Sequence, residues 1–335
     1  MIKLSVALSA VLLMVSLPIF LVFGIGSTLV AREALNLPWT QLVQTSVGAV
    51  SKHLLLAVPL FIFAGYVMVA GGMAARLVNL CIALVGHWPG GLGIAMVLAM
   101  GFFAAFCGSI LAAITAIGTI LMPRMISEGY PAPFVVVLAA MAALIEGLIP
   151  PSNAAIIYSA LTSVPVAQTF AAGIVPGIVL ALMLMVFVAI RCRDLPRSPR
   201  ASGAERLAAA WAALPALVTP VIILGGIYGG VFTAAESAAV AGVWAIFAGF
   251  ALYRELTVQA LVRALVATTL ATAVIFVIIA MATLLSVILT FTRTPQALVI
   301  WFLSWGSSPL VFLLMIALAC LVLGTFIEVV PIFYI

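Results

Sequence analysis

Apolar residues run along this chain in blocks much longer than a one-sided helix or a half-buried strand needs. Residues 4–30, 53–70, 133–163, 168–190, 209–230, 233–252 and 264–290 are apolar almost throughout. A helix that is apolar on every side has no face to give to water, and about 20 such residues cross a bilayer's hydrocarbon core. Each block therefore predicts a membrane helix. A membrane β-barrel would show ~10-residue segments alternating between apolar and polar, a pattern absent here. The fold class expected is all-α, a polytopic transmembrane helical bundle. The first block carries Pro18 and Gly24 and reads as one long helix or two short ones. Its start, Met1-Ile2-Lys3, resembles a signal peptide. The apolar run then continues to Val30 without an Ala-x-Ala site, so it reads as a retained helix.

The interruptions matter as much as the blocks. Two apolar pieces, 91–106 and 109–122, are separated by Cys107-Gly108-Ser109. Each has about 16 residues, roughly 24 Å of helix, short of the ~30 Å hydrocarbon core. They predict a re-entrant hairpin that enters and leaves on one side. The block 133–163 is broken by Ile149-Pro150-Pro151-Ser152. Proline removes a backbone donor and disfavours helix at the residue before it, so the helix unwinds there. In a membrane, freed carbonyls are tolerated only inside protein or beside a wet cavity. Residues 32–52 are more polar, and 74–88, with Arg76, Asn79 and His87, suit a helix at the interface. A further interrupted region begins near Trp305 and Gly306 and runs to the end.

Composition supports this reading and removes others. The chain is 67% hydrophobic and 6% charged, with mean hydropathy +1.44, whereas soluble domains are about 25% charged. The net charge of +5 is not a nucleic-acid footprint, because no basic face interleaved with aromatics accompanies it. The arginines gather instead at Arg191, Arg193, Arg197, Arg200 and Arg206, as in a cytoplasmic loop. With a re-entrant hairpin at 91–122, Arg76, Arg124, that loop, Arg254 and Arg263 share one side, and the other receives Arg32, Lys52 and Arg293. A single crossing there would split Arg76 from Arg124, so the charge bias favours the hairpin and puts its mouth on the cytoplasmic side. Cys81, Cys107, Cys192 and Cys320 are far apart, which argues against disulfides and structural zinc. The two histidines, His53 and His87, form no HExxH, and neither lies near Ser109 or Ser152. No catalytic residues, no metal centre and no cofactor are expected, and the chain does not read as an enzyme.

A loose repeat divides the chain into 1–190, a basic linker 191–208, and 209–335. Leu17-Pro18-Ile19 with Gly24 and Ser27 opens the first part, and Val231-Phe232-Thr233 with Ser237 opens the second. The hairpin of the first part has a counterpart starting at about 306. If residues 4–30 are two helices, an odd number of crossings inverts the second part, as in inverted-repeat transporters.

Several motifs in order resemble one known family. They are Leu56-Ala57-Val58-Pro59-Leu60-Phe61-Ile62-Phe63-Ala64-Gly65, Gly90-Gly91-Leu92, Cys107-Gly108-Ser109, and Gly118 with Met122-Pro123 and Glu128-Gly129-Tyr130. Gly147-Leu148-Ile149-Pro150-Pro151-Ser152, Gly173-Ile174-Val175-Pro176-Gly177 and Gly230-Val231-Phe232-Thr233-Ala234-Ala235-Glu236 follow. Together they resemble the large membrane subunit of TRAP (tripartite ATP-independent periplasmic) transporters over nearly the whole chain. The resemblance implies an elevator-type transporter in the bacterial inner membrane. It also implies uptake of organic acids such as dicarboxylates, sialic acids or keto acids, driven by sodium ions. The partners implied are a periplasmic substrate-binding protein and a small four-helix membrane subunit, with no nucleic acid. A stand-alone ion-coupled anion transporter of similar fold is the other reading.

Tight turns and unwound helices at mid-membrane expose hydroxyls and carbonyls, the oxygens a hard cation such as sodium takes, while half-helix N-termini favour anions. The sodium ligands expected are Gly108, Ser109, Gly147, Ile149 and Ser152. The substrate contacts expected are Ser109, Pro151, Ser152 and Asn153. Glu146 is a carboxylate inside the membrane, and such groups are functional by default. Thr233 and Glu236 read as a helix-capping box. The sequence departs from the family at Cys107, where serine is usual, at Ala113, where many members carry Asp or Thr, and at Glu146, where an uncharged residue is usual. It stops at Pro331-Ile332-Phe333-Tyr334-Ile335, inside what resembles the second hairpin, where members continue through a second unwound helix. The second half-site is thus expected to lie outside these residues.

Overall fold

The structure is a computed structural model, and it describes residues 12, 15, 17–33, 35–304, 308–325 and 327–334. Every regular element among these is helical. Among the described residues, six helical segments are long and apolar enough to cross a membrane: His53–Ala70, Ala132–Thr162, Val166–Arg191, Gly203–Tyr228, Ala234–Leu252 and Val258–Phe291. The expected all-α polytopic membrane fold is therefore present.

The chain divides into two compact units. The first contains residues 1–53 and 273–335. Its helices are α1 (Ile19–Glu33) and α2 (Trp39–Val50). Pro18 stands directly before α1, and the rest of the 4–30 block lies largely outside the described residues. Val30, Ala31 and Leu42 pack with Leu284 and Ile288 into a small core. Arg32 donates to the carbonyl of Leu37 at 3.1 Å and lies 5.3 Å over the Trp39 ring, closing the turn between α1 and α2. The more polar stretch 32–52 thus contains a 12-residue helix.

The second unit, 54–272, holds the breaks. It contains α3 (Ala57–Ala70), α4 (Met73–Val85) and α5 (Gly91–Cys107). After Gly108 the chain returns through α6 (Ile110–Ala113), a π-helical turn at Ile114–Gly118 and α7 (Thr119–Ser127). The arms of this helical hairpin pack on each other. Then come α8 (Ala132–Ala143), α9 (Ile145–Leu148), α10 (Asn153–Thr162) and α11 (Val166–Arg191). α12 (Gly203–Tyr228) and α13 (Ala234–Phe247) follow the basic loop. α14 (Val258–Phe291) runs from this unit into the other. α15 (Thr294–Ser304), α16 (Pro309–Gly324) and α17 (Val329–Ile332) belong to the first unit. The expected second hairpin starts at Trp305 and Gly306, outside the described residues.

α5 is the centre of the second unit. It packs against α3, α4, α8, α9 and α11, and Phe103 and Phe106 on it are fully buried, with edge-to-face rings 5.9 Å apart. An apolar helix inside an apolar bundle gains nothing by leaving lipid for protein. Close packing holds it instead, and small residues permit that. Arg76 on α4 clamps the loop after α13. It bonds Glu255 at 2.8 Å and lies 3.9 Å over the Tyr253 ring.

Candidate functional site

α5 ends at Cys107 because Gly108 takes a left-handed conformation, φ +62°, which costs glycine almost nothing. Space forces the same choice. A Cβ on Gly108 would lie 2.9 Å from the Pro151 carbonyl oxygen and 3.2 Å from the Asn153 nitrogen. The hairpin turn and the proline break are therefore in contact, about forty residues apart in sequence. Two hydrogen bonds join them. The Ser109 N–H donates to Glu146 Oε1 at 2.7 Å, and the Asn153 N–H donates to the Gly108 carbonyl at 3.4 Å.

The break follows from the two prolines. A continued helix would bring N–H donors from 150 and 151 to the carbonyls of Glu146 and Gly147. Proline has none to give. Ile149 turns extended (φ −74°, ψ 126°), and Ser152 repairs part of the loss. Its hydroxyl donates to the Gly147 carbonyl at 2.9 Å and accepts the Ala155 N–H at 3.4 Å, capping α10.

Two neighbouring helices press on this junction through glycines. A Cβ on Gly173 of α11 would strike the Leu148 carbonyl oxygen, and one on Gly177 would lie 2.6 Å from Ile149 Cγ1. On α3, a Cβ at Gly65 would strike Cys107 Sγ. Gly65, Gly173 and Gly177 hold the site's walls. Each stood in a motif quoted above, but sequence reasoning gave none of them a role. The available signal was a small residue facing a predicted break.

Glu146 and Asn153 are 1% and 7% exposed. Glu146 Oε2 and Asn153 Oδ1 are buried without a hydrogen-bond partner among the described residues. Gly108, Ser109, Gly147, Ile149, Pro151, Ser152, Asn153 and Glu146 all belong to the hairpin turn or the adjacent break, and the structure brings them together in one unit. Thr233 and Glu236 lie elsewhere in that unit. They form the reciprocal cap of α13, with the Thr233 N–H 2.8 Å from Glu236 Oε2 and the Glu236 N–H 3.2 Å from Thr233 Oγ1. Sequence reasoning missed a second such box, Ser202 with Glu205, at the start of α12.

The chemistry on offer is oxygen. Carbonyls, hydroxyls, an amide and a carboxylate converge, and no cluster of three His, Cys, Asp or Glu occurs among the described residues. A cavity of about 450 Å³ beyond Ile149 is lined by Val97, Phe102, Ala105, Leu182 and Pro220 and offers a polar solute nothing to bind.

The model of the tripartite ATP-independent periplasmic transporter DctM component matches residues 2–335. The C4-dicarboxylate TRAP transporter large permease protein DctM of Pseudomonas aeruginosa is 40% identical over 281 residues, 83% of this chain and 66% of that protein. The Vibrio cholerae protein of the same description is 37% identical over 340 residues, 95% of this chain and 75% of its own length. The sialic acid TRAP transporter large permease protein SiaM of Vibrio cholerae is 34% identical over 287 residues, 85% of this chain and 67% of that protein. The chain thus spans about two thirds to three quarters of these relatives. A helical hairpin closed on a proline break, within a bundle matched along its length by these permeases, places the chain in the DctM component family of tripartite ATP-independent periplasmic transporters.

Proposed function

We propose that this chain serves in the bacterial inner membrane as the large permease subunit of a binding-protein-dependent TRAP transporter. Its solute is a small organic acid, and its coupling ion is sodium. The observation that carries this reading is the contact between the Gly108-Ser109 turn and the Pro150-Pro151 break inside one unit. Membrane helices break internally where the exposed backbone meets protein or a wet, ligand-bearing cavity, and half-helix ends are where ion-coupled transporters bind their cargo. The partners proposed are a periplasmic solute-binding protein and a small four-helix membrane subunit.

At the site, sodium is cargo rather than a resident cofactor. The carbonyls of Gly108, Gly147 and Ile149 and the hydroxyls of Ser109 and Ser152 are hard, neutral oxygens. Ser152 Oγ keeps a lone pair beyond its two hydrogen bonds. Glu146 Oε2 and Asn153 Oδ1 add two buried oxygens without a hydrogen-bond partner among the described residues. An excess of acceptors over donors suits a cation. The Asn153 amide nitrogen and the Ser109 hydroxyl are donors suited to a solute carboxylate. Inverted repeats, with 1–190 and 209–335 as the two halves, and re-entry of the hairpin complete the proposal.

The test is uptake of radiolabelled succinate by proteoliposomes that hold this chain with its partner subunits and binding protein. Accumulation that requires an inward sodium gradient is expected. Accumulation unaffected by removing sodium overturns the coupling ion, and accumulation without the binding protein favours the stand-alone transporter.

A further inference from the structure

Away from the proline break, a second group of polar atoms lies where α4 ends and α12 begins, two helices that pack on each other. Ser198, in the basic loop, donates its N–H to the Gly86 carbonyl at 3.2 Å, which lays that loop over the end of α4. Arg206 stands in the first turn of α12, its N–H on the Ser202 carbonyl at 3.0 Å. Its guanidinium is the unusual feature. Nε and Nη2 are both buried and have no hydrogen-bond partner among the described residues. His87 Nδ1 and Ser198 Oγ are in the same condition. Desolvation first, then the charges of Arg206 and Arg200, hold the His87 imidazole below its ordinary pKa.

Nearby acids do not answer these donors. Asp194 pairs with Arg193 at 3.5 Å, and Glu205 Oε2 accepts the Ser202 N–H at 2.7 Å. The Glu205 N–H is in turn taken by Ser202 Oγ, so the helix end offers this first-turn donor to no ligand. Two guanidinium N–H-bearing nitrogens buried without an acceptor favour a ligand of opposite charge, and the planar fork fits a phosphate oxyanion.

The depth of the place identifies the source of that phosphate. α12 has 26 residues, about 39 Å of helix against a ~30 Å hydrocarbon core, so an end turn of it falls among the headgroups. Trp88, next to His87, and Trp211, five residues beyond Arg206 on α12, are 49% and 74% exposed, as interfacial tryptophans are. The basic loop marks this side as the cytoplasmic one, where anionic lipids meet basic pockets between helices.

We propose that Arg206, His87 and Ser198 form a binding site for the phosphate of an anionic phospholipid at the cytoplasmic surface. The bound headgroup ties the basic loop to the junction of α4 and α12.

The full chain, purified in neutral detergent, is titrated with phosphatidylglycerol, with phosphatidylcholine and with inorganic phosphate while thermal unfolding is followed. Phosphatidylglycerol should raise Tm, and the two controls should not. Arg206→Gln should need about tenfold more phosphatidylglycerol for the same rise, having lost one charge-assisted fork, and Arg206→Lys should lie between. Equal shifts with both lipids overturn the site. An equal shift with inorganic phosphate overturns the lipid as its occupant. Unchanged dependence in Arg206→Gln overturns the assignment to Arg206. The comparison of lipids uses the unmutated chain and stands even if the variants are unstable.

Discussion

The N–H of Ser109 donates to Glu146 Oε1 across 2.7 Å, tying the turn of a helical hairpin to a broken helix 37 residues further along the chain. The carboxylate stands in the place of the helical acceptor that the turn removed. A buried N–H left without a partner costs about 1–3 kcal/mol, so Glu146→Ala, which orphans Ser109, should lower stability by about that much. Glu146→Gln keeps an acceptor oxygen and should cost less than Glu146→Ala. Thermal unfolding of both variants in detergent checks the order, and equal losses would show that the bond does not hold the turn.

Gly65 and Gly173 look alike in sequence but should respond differently to repair. Gly65→Ala sets a methyl against Cys107 Sγ and Cβ. Adding Cys107→Gly removes those atoms and should restore part of the loss, a coupling of at least ~0.5 kcal/mol in a double-mutant cycle. Gly173→Ala strikes the Leu148 carbonyl oxygen, which no side-chain change removes, so its loss of folded protein should persist in every such background. Strict additivity of Gly65→Ala and Cys107→Gly would rule out the contact.

By contrast, Gly147→Ala should be tolerated, because a Cβ there meets nothing within 4 Å and alanine favours helix by up to about 1 kcal/mol over glycine. A large fall in expression or Tm for this variant would show that the space beside Gly147 is needed for a ligand or a neighbour.

Ser152 has both a structural and a proposed ligand role, and two measurements separate them. Ser152→Ala removes the cap of α10 and the bond to the Gly147 carbonyl, worth about 1 kcal/mol by analogy with other caps. As a sodium ligand it should also raise the sodium concentration for half-maximal uptake in the reconstituted transporter. Thr233→Ala loses a cap of the same kind on α13 and should leave sodium dependence unchanged. If the two variants shift sodium dependence equally, Ser152 acts only as a cap.

The arginine-rich loop should face the cytoplasm. A cysteine placed at exposed Arg197 should react with a membrane-impermeant maleimide only after cells are opened, and fusions after Arg76 and after Arg124 should report one compartment. Labelling in intact cells would reverse the topology, and opposite compartments would make 91–122 a single crossing.

The long helices were legible in the sequence because lipid imposes a one-dimensional rule: about 20 apolar residues in a row, whatever they touch. The breaks were legible for a similar reason, since Pro150 and Pro151 lack donors and Gly108 permits a left-handed turn in any surroundings. The α13 cap was legible too, because Thr233 and Glu236 are three residues apart and meet within one turn. Only the tertiary structure decided that the Gly108 turn faces the Pro151 carbonyl, that Glu146 reaches Ser109, and that Gly65, Gly173 and Gly177 admit their neighbours. In an apolar bundle every face of a helix looks alike in sequence, with low polar contrast to mark the inner side. Which face meets which is settled by close packing between distant segments, and hydropathy along one segment does not record it.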